Sequence, residues 1–404
     1  MTDTPGAKSA KEMDEGDRIS GLPDEVRHHV LSFLPARDAA RTCVLSPMWR
    51  QLWASAPRLK PSTRGCIPLE SFWLRANGTG IFLENFCDTV NMWICYALRS
   101  NVEELGVDDY NQNDRFGDMK NPIEFFQLQH CPFTSSYLKK LHLCYVYINN
   151  RGLKKLFSRC PVLEDLEMIN CEIFNTEKFG GQPEFSSASL KSLCIKYVDF
   201  PYARDYEMSG CYIVINMPSL VSLHVGTLGL TQLSLVDVQS LITAAIVLNT
   251  SIDTFADCCK ILGALSNVKK LELLFPYDLG WQYEYSMQDD THLCGGVFTN
   301  LITLSLSDWC LYDNCKLLLY LLEHSPNLEK LTLKLSEPCF HGNIGLSCSA
   351  AAADSATPFN CEKLRKVEIV CSKGNKIVGK LVTILLTKMK SPPEISIKPF
   401  SGVS

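Results

Sequence analysis

Residues 138–143, Leu138-Lys139-Lys140-Leu141-His142-Leu143, place apolar side chains at the first, fourth and sixth positions of a hexad. The last two alternate with polar residues, the pattern of a short strand with one buried face. The spacing returns in Leu163/Leu166/Met168, Leu190/Leu193/Ile195, Leu220/Leu223/Val225 and Val268/Leu271/Leu273. It continues in Leu301/Leu304/Leu306, Leu328/Leu331/Leu333 and Leu364/Val367/Ile369. Leu241/Ala244/Ile246 is a weaker copy, and Val102/Leu105/Val107 an earlier, degenerate one. From Leu138 to Leu364 the first positions recur at steps of 21 to 36 residues. Three copies share a lead of residue-Pro-x-Leu, at Cys160-Pro161, Met217-Pro218 and Ser325-Pro326.

One such unit cannot fold alone. Each buried Leu contributes roughly 1.5–3 kcal/mol, while ordering the backbone costs about 1–2 kcal/mol per residue. Neighbouring units must therefore cover one another's apolar faces. A doubly wound sheet would need a dozen or more helical residues in every connection, and several connections here are too short or too rich in Gly and Pro. The pattern resembles a leucine-rich repeat. The expected fold is α/β: an irregular solenoid over 61–358, with a parallel sheet in a horseshoe and protruding loops.

Upstream, Gly21 to Trp53 reads GLPDEVRHHVLSFLPARDAARTCVLSPMWRQLW. Pro23 suits a first helical position, and Asp24 and Glu25 follow where the helix dipole favours negative charge. Val26, Val30, Leu31 and Leu34 fall at helical spacing, and Pro35 ends the run. A short second helix is expected near Asp38 to Val44. Ser46 and Pro47 begin a third, which carries Trp49 and Trp53 four apart. So small a unit holds more apolar surface than it can bury alone.

Leu22-Pro23, Glu25, Val30-Leu31, Leu34-Pro35, Val44-Leu45-Ser46 and Trp49-Arg50 resemble the F-box pattern, and Asp17-Arg18-Ile19-Ser20 the lead-in of plant members. The resemblance implies a three-helix domain over 17–60 that binds the Skp-type adaptor of cullin-RING ubiquitin ligases. It places Leu22, Pro23, Val30, Leu31, Leu34, Val44 and Trp49 at or under that contact.

At the other end, Asn375 to Lys390 reads as an amphipathic helix. Val378, Leu381, Val382, Leu385, Leu386 and Met389 lie on its apolar side, Lys388 and Lys390 occupy its last turn, and Pro392-Pro393 stops it. A strand is expected at Glu394 to Ile397. With Cys361-x-x-Leu364-x-x-Val367-x-Ile369, these elements resemble the FBD module that follows the repeats in plant F-box proteins. Residues 359–404 are therefore expected to form an FBD-like cap.

The chain has 404 residues, a formal net charge of -5 and 19 cysteines. That charge argues against a general nucleic-acid or membrane-surface binder. Residues 1–16 lack an apolar signal core and read as a disordered leader. Without a secretory signal the cysteines are expected to be reduced thiols, with the protein in the nucleus and/or the cytoplasm. No Cys-x-x-Cys occurs, several Cys fall in apolar strand patterns as small buried hydrophobes do, and no metal or cofactor is expected. No nucleophile elbow, phosphate loop, dinucleotide fingerprint or paired-His metalloprotease motif is present.

The expected role is geometric: a non-catalytic receptor subunit of an SCF-type ubiquitin ligase, joined through the adaptor to cullin and RING subunits and holding a target protein. A repeat scaffold without ubiquitin transfer is the alternative. The polar strand positions, among them Lys270 and Glu272, should line the concave face. Pro276 to Gly296 carries Tyr277, Trp281, Tyr283 and Tyr285, aromatics typical of contact anchors. Asp199 to Cys211 is a second candidate loop.

Overall fold

The computed structural model describes residues 22–23, 26–27, 29, 70–75, 86–108, 126–128, 133–174, 183–198, 212–228, 231–248, 255–274, 296–307, 312–335, 361–372, 374–375, 377–389 and 391–399. The chain divides into two compact units, Met1–Pro68 and Leu69–Ser404. In the first, Val26, Arg27 and His29 are helical. Arg27 and Val26 donate their backbone N–H groups to the Pro23 carbonyl, each at 3.1 Å, so a helix starts at the expected proline.

The second unit begins with β1 (Ser71–Arg75), α1 (Phe86–Arg99), β2 (Glu104–Asp108), β3 (Phe126–Gln127), β4 (Lys140–Cys144) and β5 (Val146–Asn149). Next come α2 (Asn150–Arg159), β6 (Asp165–Ile169), β7 (Glu172–Phe174), β8 (Glu184–Ser186), β9 (Ser192–Lys196) and β10 (Tyr212–Asn216). They are followed by β11 (Ser222–Val225), β12 (Gln232–Asp237), β13 (Thr243–Val247), α3 (Phe255–Ala264), β14 (Lys270–Leu274) and β15 (Thr303–Ser307). The last are α4 (Tyr312–Glu323), β16 (Lys330–Lys334), β17 (Lys366–Cys371), α5 (Ile377–Lys388) and β18 (Glu394–Pro399).

Twelve strands form one sheet in the order β1-β2-β4-β6-β9-β11-β13-β14-β15-β16-β17-β18. Every pairing in it is parallel. Each repeat lies beside the one before it in sequence, which is the signature of a one-dimensional stack. All ten hexads supply strands of this sheet. Their fourth positions align as one continuous row that runs through Leu141, Leu166, Leu193, Leu223 and Ala244 to Leu271, Leu304 and Leu331. Their sixth positions make a second buried row, and their first positions are buried beneath the preceding turn.

That turn explains the Pro lead. The backbone N–H groups of Leu163, Leu220 and Leu328 donate to the carbonyls of Cys160, Met217 and Ser325. Proline thus occupies the second position of a four-residue turn, where its fixed φ is suited. Leu241, Val268, Leu301 and Leu364 make the same backbone turn without a proline, and in two other copies a serine hydroxyl takes over. Ser135 Oγ accepts from Leu138 N at 3.1 Å, and Ser187 Oγ from Leu190 N at 3.2 Å.

Behind the main sheet the chain returns by two routes. Some units add short parallel strands, in the sheets β3-β5-β7 and β12-β10-β8. The chain enters β5 and β7 through Tyr145 and Asn170 with positive φ of 55° and 49°. Other units return as helices. In α2, Asn149 caps the amino end, its Oδ1 accepting from Gly152 N at 2.7 Å, as favoured capping residues do.

β17, α5 and β18 continue the same sheet and lie in the same compact unit as the repeats. The helix expected at 375–390 is present as α5, with Leu381 and Leu385 buried and Val378, Val382 and Met389 packed on the core as expected; only Leu386 departs. Ile384 is buried and Leu386 is 46% exposed. Lys388, expected in the last turn, is there and 5% exposed.

Candidate functional site

The sheet presents one face of side chains that does not enter the core. Pairing register aligns them in three rows across the strands. A first row runs Ser71, Glu104, Lys140, Asp165, Ser192, Ser222, Thr243, Lys270, Thr303, Lys330, Lys366 and Glu394. A central row runs Trp73, Gly106, His142, Glu167, Cys194, His224, Ala245, Glu272, Ser305, Thr332, Glu368 and Ser396. An outer row includes Arg75, Asp108 and Lys196 at one end and Ser307, Lys334 and Lys398 at the other.

Every polar strand position expected to line the face falls in the first two rows. Ser305 departs from the expectation in one respect: it is on the face but only 8% exposed. Lys270 and Glu272 sit on β14, the lysine exposed and the carboxylate partly covered. Tyr277, Trp281, Tyr283 and Tyr285 lie outside the described residues, as does the loop 199–211. Of the expected adaptor contacts, Leu22 is half-buried and Pro23 exposed. Val30, Leu31, Leu34, Val44 and Trp49 lie outside the described residues.

The amino-terminal end of the face is built around Trp73. Its indole lies across Gly106 on the neighbouring strand, and a Cβ at Gly106 would stand 2.1 Å from a ring carbon. The Trp73 ring, 42% exposed, reaches His142 two strands away at a centroid separation of 5.4 Å. The Arg75 guanidinium stands 5.4 Å from the indole centre, close enough for a cation–π attraction. His142 Nδ1 is 2.8 Å from Glu167 Oε2. None of this was found from the sequence, although Leu69-x-x-Phe72-x-Leu74 carries the hexad spacing and could have shown β1.

Glycine here is a steric requirement imposed by a side chain 33 positions upstream. Gly106→Ala is expected to swing the Trp73 ring into solvent while lowering stability by no more than about 1 kcal/mol. The lost ring contacts, each worth roughly 0.5–1.5 kcal/mol, are largely offset by the better strand entropy of Ala. A red-shifted Trp73 emission component, isolated by difference against Trp73→Phe, is the measurement.

Towards the middle the face carries no formal charge on β11 and β13. His224 is half-buried, and desolvation first, then nearby Lys196, hold its pKa below the ordinary 6.5, so it is neutral at pH 7. Desolvation likewise pushes the Cys194 thiol on the face up to about 11. It pushes Cys144, in register with Asp108 in the outer row, and the buried Cys171 and Cys361 up to about 12. Protonated thiols of this kind are poor nucleophiles.

The carboxyl-terminal end is a lysine field. Lys334 Nζ lies 2.5 Å from Glu272 Oε1. Glu368 takes Lys398 at 2.9 Å and Lys330 at 3.5 Å. The Lys398 hydrogen bond, with Lys330 adding to it, holds the Glu368 carboxyl below the usual range. Among the described residues no three His, Cys, Asp or Glu side chains converge as a metal site. No described helix is long and apolar enough to cross a membrane.

Comparison with known proteins bears on both units. A family model described as "At1g61320/AtMIF1, LRR domain" matches residues 78–397, and the F-box domain model matches residues 19–60. The chain belongs to the F-box/leucine-rich-repeat family. Among its relatives, the F-box/LRR-repeat protein At5g02910 of Arabidopsis thaliana is 29% identical over 80% of this chain and 72% of its own length. The F-box/FBD/LRR-repeat protein At4g00160 of the same plant is 29% identical over 81% of this chain and 74% of its own length. A second F-box/FBD/LRR-repeat protein of that plant, At5g56420, is 27% identical over 79% and 77%. An F-box/leucine-rich-repeat chain is built as a binding protein, and neither matched domain is a catalytic one.

Proposed function

We propose that this chain is the target-recognition subunit of an SCF-type cullin-RING ubiquitin ligase, acting in the nucleus or cytoplasm. The F-box holds the Skp-type adaptor, and through it the cullin and RING subunits. The open face of the repeat sheet holds the target protein, with Lys270, Glu272 and the aromatics Tyr277, Trp281, Tyr283 and Tyr285 among the contacts. The observation that supports this best is the division of labour within one chain. An F-box match at 19–60 lies in one compact unit, and a repeat sheet with a long polar face lies in another. The chain needs no catalytic group or cofactor of its own for this role. Tethering raises the effective concentration of target lysines near the charged conjugating enzyme.

Reconstitution tests the reading. The purified chain is combined with adaptor, cullin, RING subunit, activating and conjugating enzymes and ubiquitin. Captured protein is expected to acquire ubiquitin only when every component is present. A chain that holds adaptor but recruits no cullin and supports no transfer is instead a repeat scaffold.

A further inference from the structure

The open face is electrically uneven along its length. On β1, β2, β4 and β6 its rows carry the carboxylates Glu104, Asp108, Asp165 and Glu167 against Arg75 and Lys140. On β14 to β18 five lysines face three carboxylates. Two of those carboxylates are already taken, Glu272 by Lys334 and Glu368 by both Lys330 and Lys398. Among the described residues neither Lys270 nor Lys366 has an ion-pair partner, and both are exposed. Among the described residues, this end of the sheet keeps a surplus of positive charge in a chain of net charge -5.

A second feature lies inside the field. Glu272 is in the central row of β14 and Lys334 in the outer row of β16, so their bridge spans the intervening strand β15. On that strand Ser305, in the central row between Glu272 and Thr332, has a buried Oγ with no hydrogen-bond partner. A buried hydroxyl without a partner is costly. Here it is a donor in want of an acceptor, set among lysines that also want one.

We propose that β14 to β17 receive an acidic segment of the target protein, an extended run whose Asp or Glu carboxylates lie along Lys270, Lys330 and Lys366 and reach Ser305. The proposal rests on the receptor reading above and adds the chemistry of what is received. Strands about 4.8 Å apart set Lys270 and Lys366 about 14 Å from each other. Same-side residues of an extended peptide recur about every 6.8 Å, so acidic residues four apart match Lys270 and Lys366, and the one between them falls about 3 Å from Lys330 along the row, within reach of its flexible side chain. One incoming carboxylate draws Lys334 from Glu272 and accepts the Ser305 hydroxyl. The carboxylates of β2 and β6 repel the same segment from the other end of the sheet and so fix where it seats.

The test uses the full chain bound to its adaptor and three fluorescein-labelled peptides: alternating Glu-Ser, alternating Gln-Ser and alternating Lys-Ser. Anisotropy is expected to show the Glu peptide binding about tenfold or more tightly than the Gln peptide, with no binding of the Lys peptide. Affinity falls as salt rises from about 50 to 250 mM. The exposed pair Lys270→Gln/Lys366→Gln is expected to weaken the Glu peptide about tenfold with an unchanged melting curve. Ser305→Ala is expected to weaken it about threefold. Equal binding of the Glu and Gln peptides, or an unaltered affinity in the double lysine variant, overturns the proposal. Adaptor retention is scored on the same samples. Peptide binding without adaptor retention faults the receptor reading, and the reverse faults this one.

Discussion

Leu304→Ala is expected to lower the unfolding free energy of the repeat unit by about 2–5 kcal/mol, toward the upper part of that range. Leu304 is fully buried between Leu271 and Leu331 in the central apolar row. The backbone ladder holds the strands about 4.8 Å apart, so the flanking leucines cannot close in on the missing atoms. The cavity term therefore adds to the lost transfer term. In a stack each unit meets only its neighbours, so the damage should also be local. Amide exchange should accelerate in β14, β15 and β16 while β4, β6 and β9 keep their protection. Thr303→Ala, one residue away on the open face, should move the denaturation midpoint by less than about 0.5 kcal/mol. A Leu304→Ala midpoint no lower than that of Thr303→Ala would show that this row does not carry the stack.

The stack was legible because a buried row tolerates little else. All ten hexads from Val102 to Ile369 became neighbouring strands, and even Ala244 kept its place in register between Leu223 and Leu271. Strand β1 was passed over because Phe72 stands where the pattern expects a leucine, although Phe and Leu serve equally well at the end of an apolar row. The lateral strands escaped for a different reason. Ile213 and Ile215 of β10 are fully buried, yet a run of five residues in a connection has the same local pattern whether or not another short strand lies beside it. In α5 the apolar side was placed correctly except at Leu386, where Ile384 is buried instead. Leu386 and Ile384 are interchangeable by hydropathy, and only the packed sheet decides which of them faces inward.

The site was half legible for the same physical reason. Alternation alone put Lys140, His142, Glu167, Lys270, Glu272 and Glu368 on the open face, because in a strand each is forced opposite a buried neighbour. What those side chains do with one another depends on register between distant segments. The space beside Gly106 is filled by Trp73, and the bridge that spans β15 beside Ser305 joins residues 62 positions apart. Local sequence holds no record of such pairs. Lys334 and Lys398 were missed because they follow the last hexad position. Leu335, buried just after Lys334, does extend the alternation, but the hexad ends before it.

The largest effect on binding is expected at the other end of the chain. Leu22→Ala/Pro23→Ala should abolish capture of the Skp-type adaptor, a loss of about 30-fold or more, if these residues act as interface hot spots worth about 2 kcal/mol or more. Pro23 is exposed and Leu22 half-buried in the compact unit Met1–Pro68. They are therefore placed to meet a partner and are not locked into that unit's own interior. Pro23 also accepts two backbone hydrogen bonds through its carbonyl, which any residue supplies equally, so alanine preserves the helix start and removes mainly side-chain surface. The repeat sheet belongs to a different compact unit, and its melting transition should not change. A pull-down with purified adaptor and a thermal scan of the same variant separate the two outcomes. Lost adaptor with an intact sheet transition places the contact on Leu22 and Pro23. Adaptor held at the native level moves the contact away from both residues and leaves the F-box without its expected leading edge.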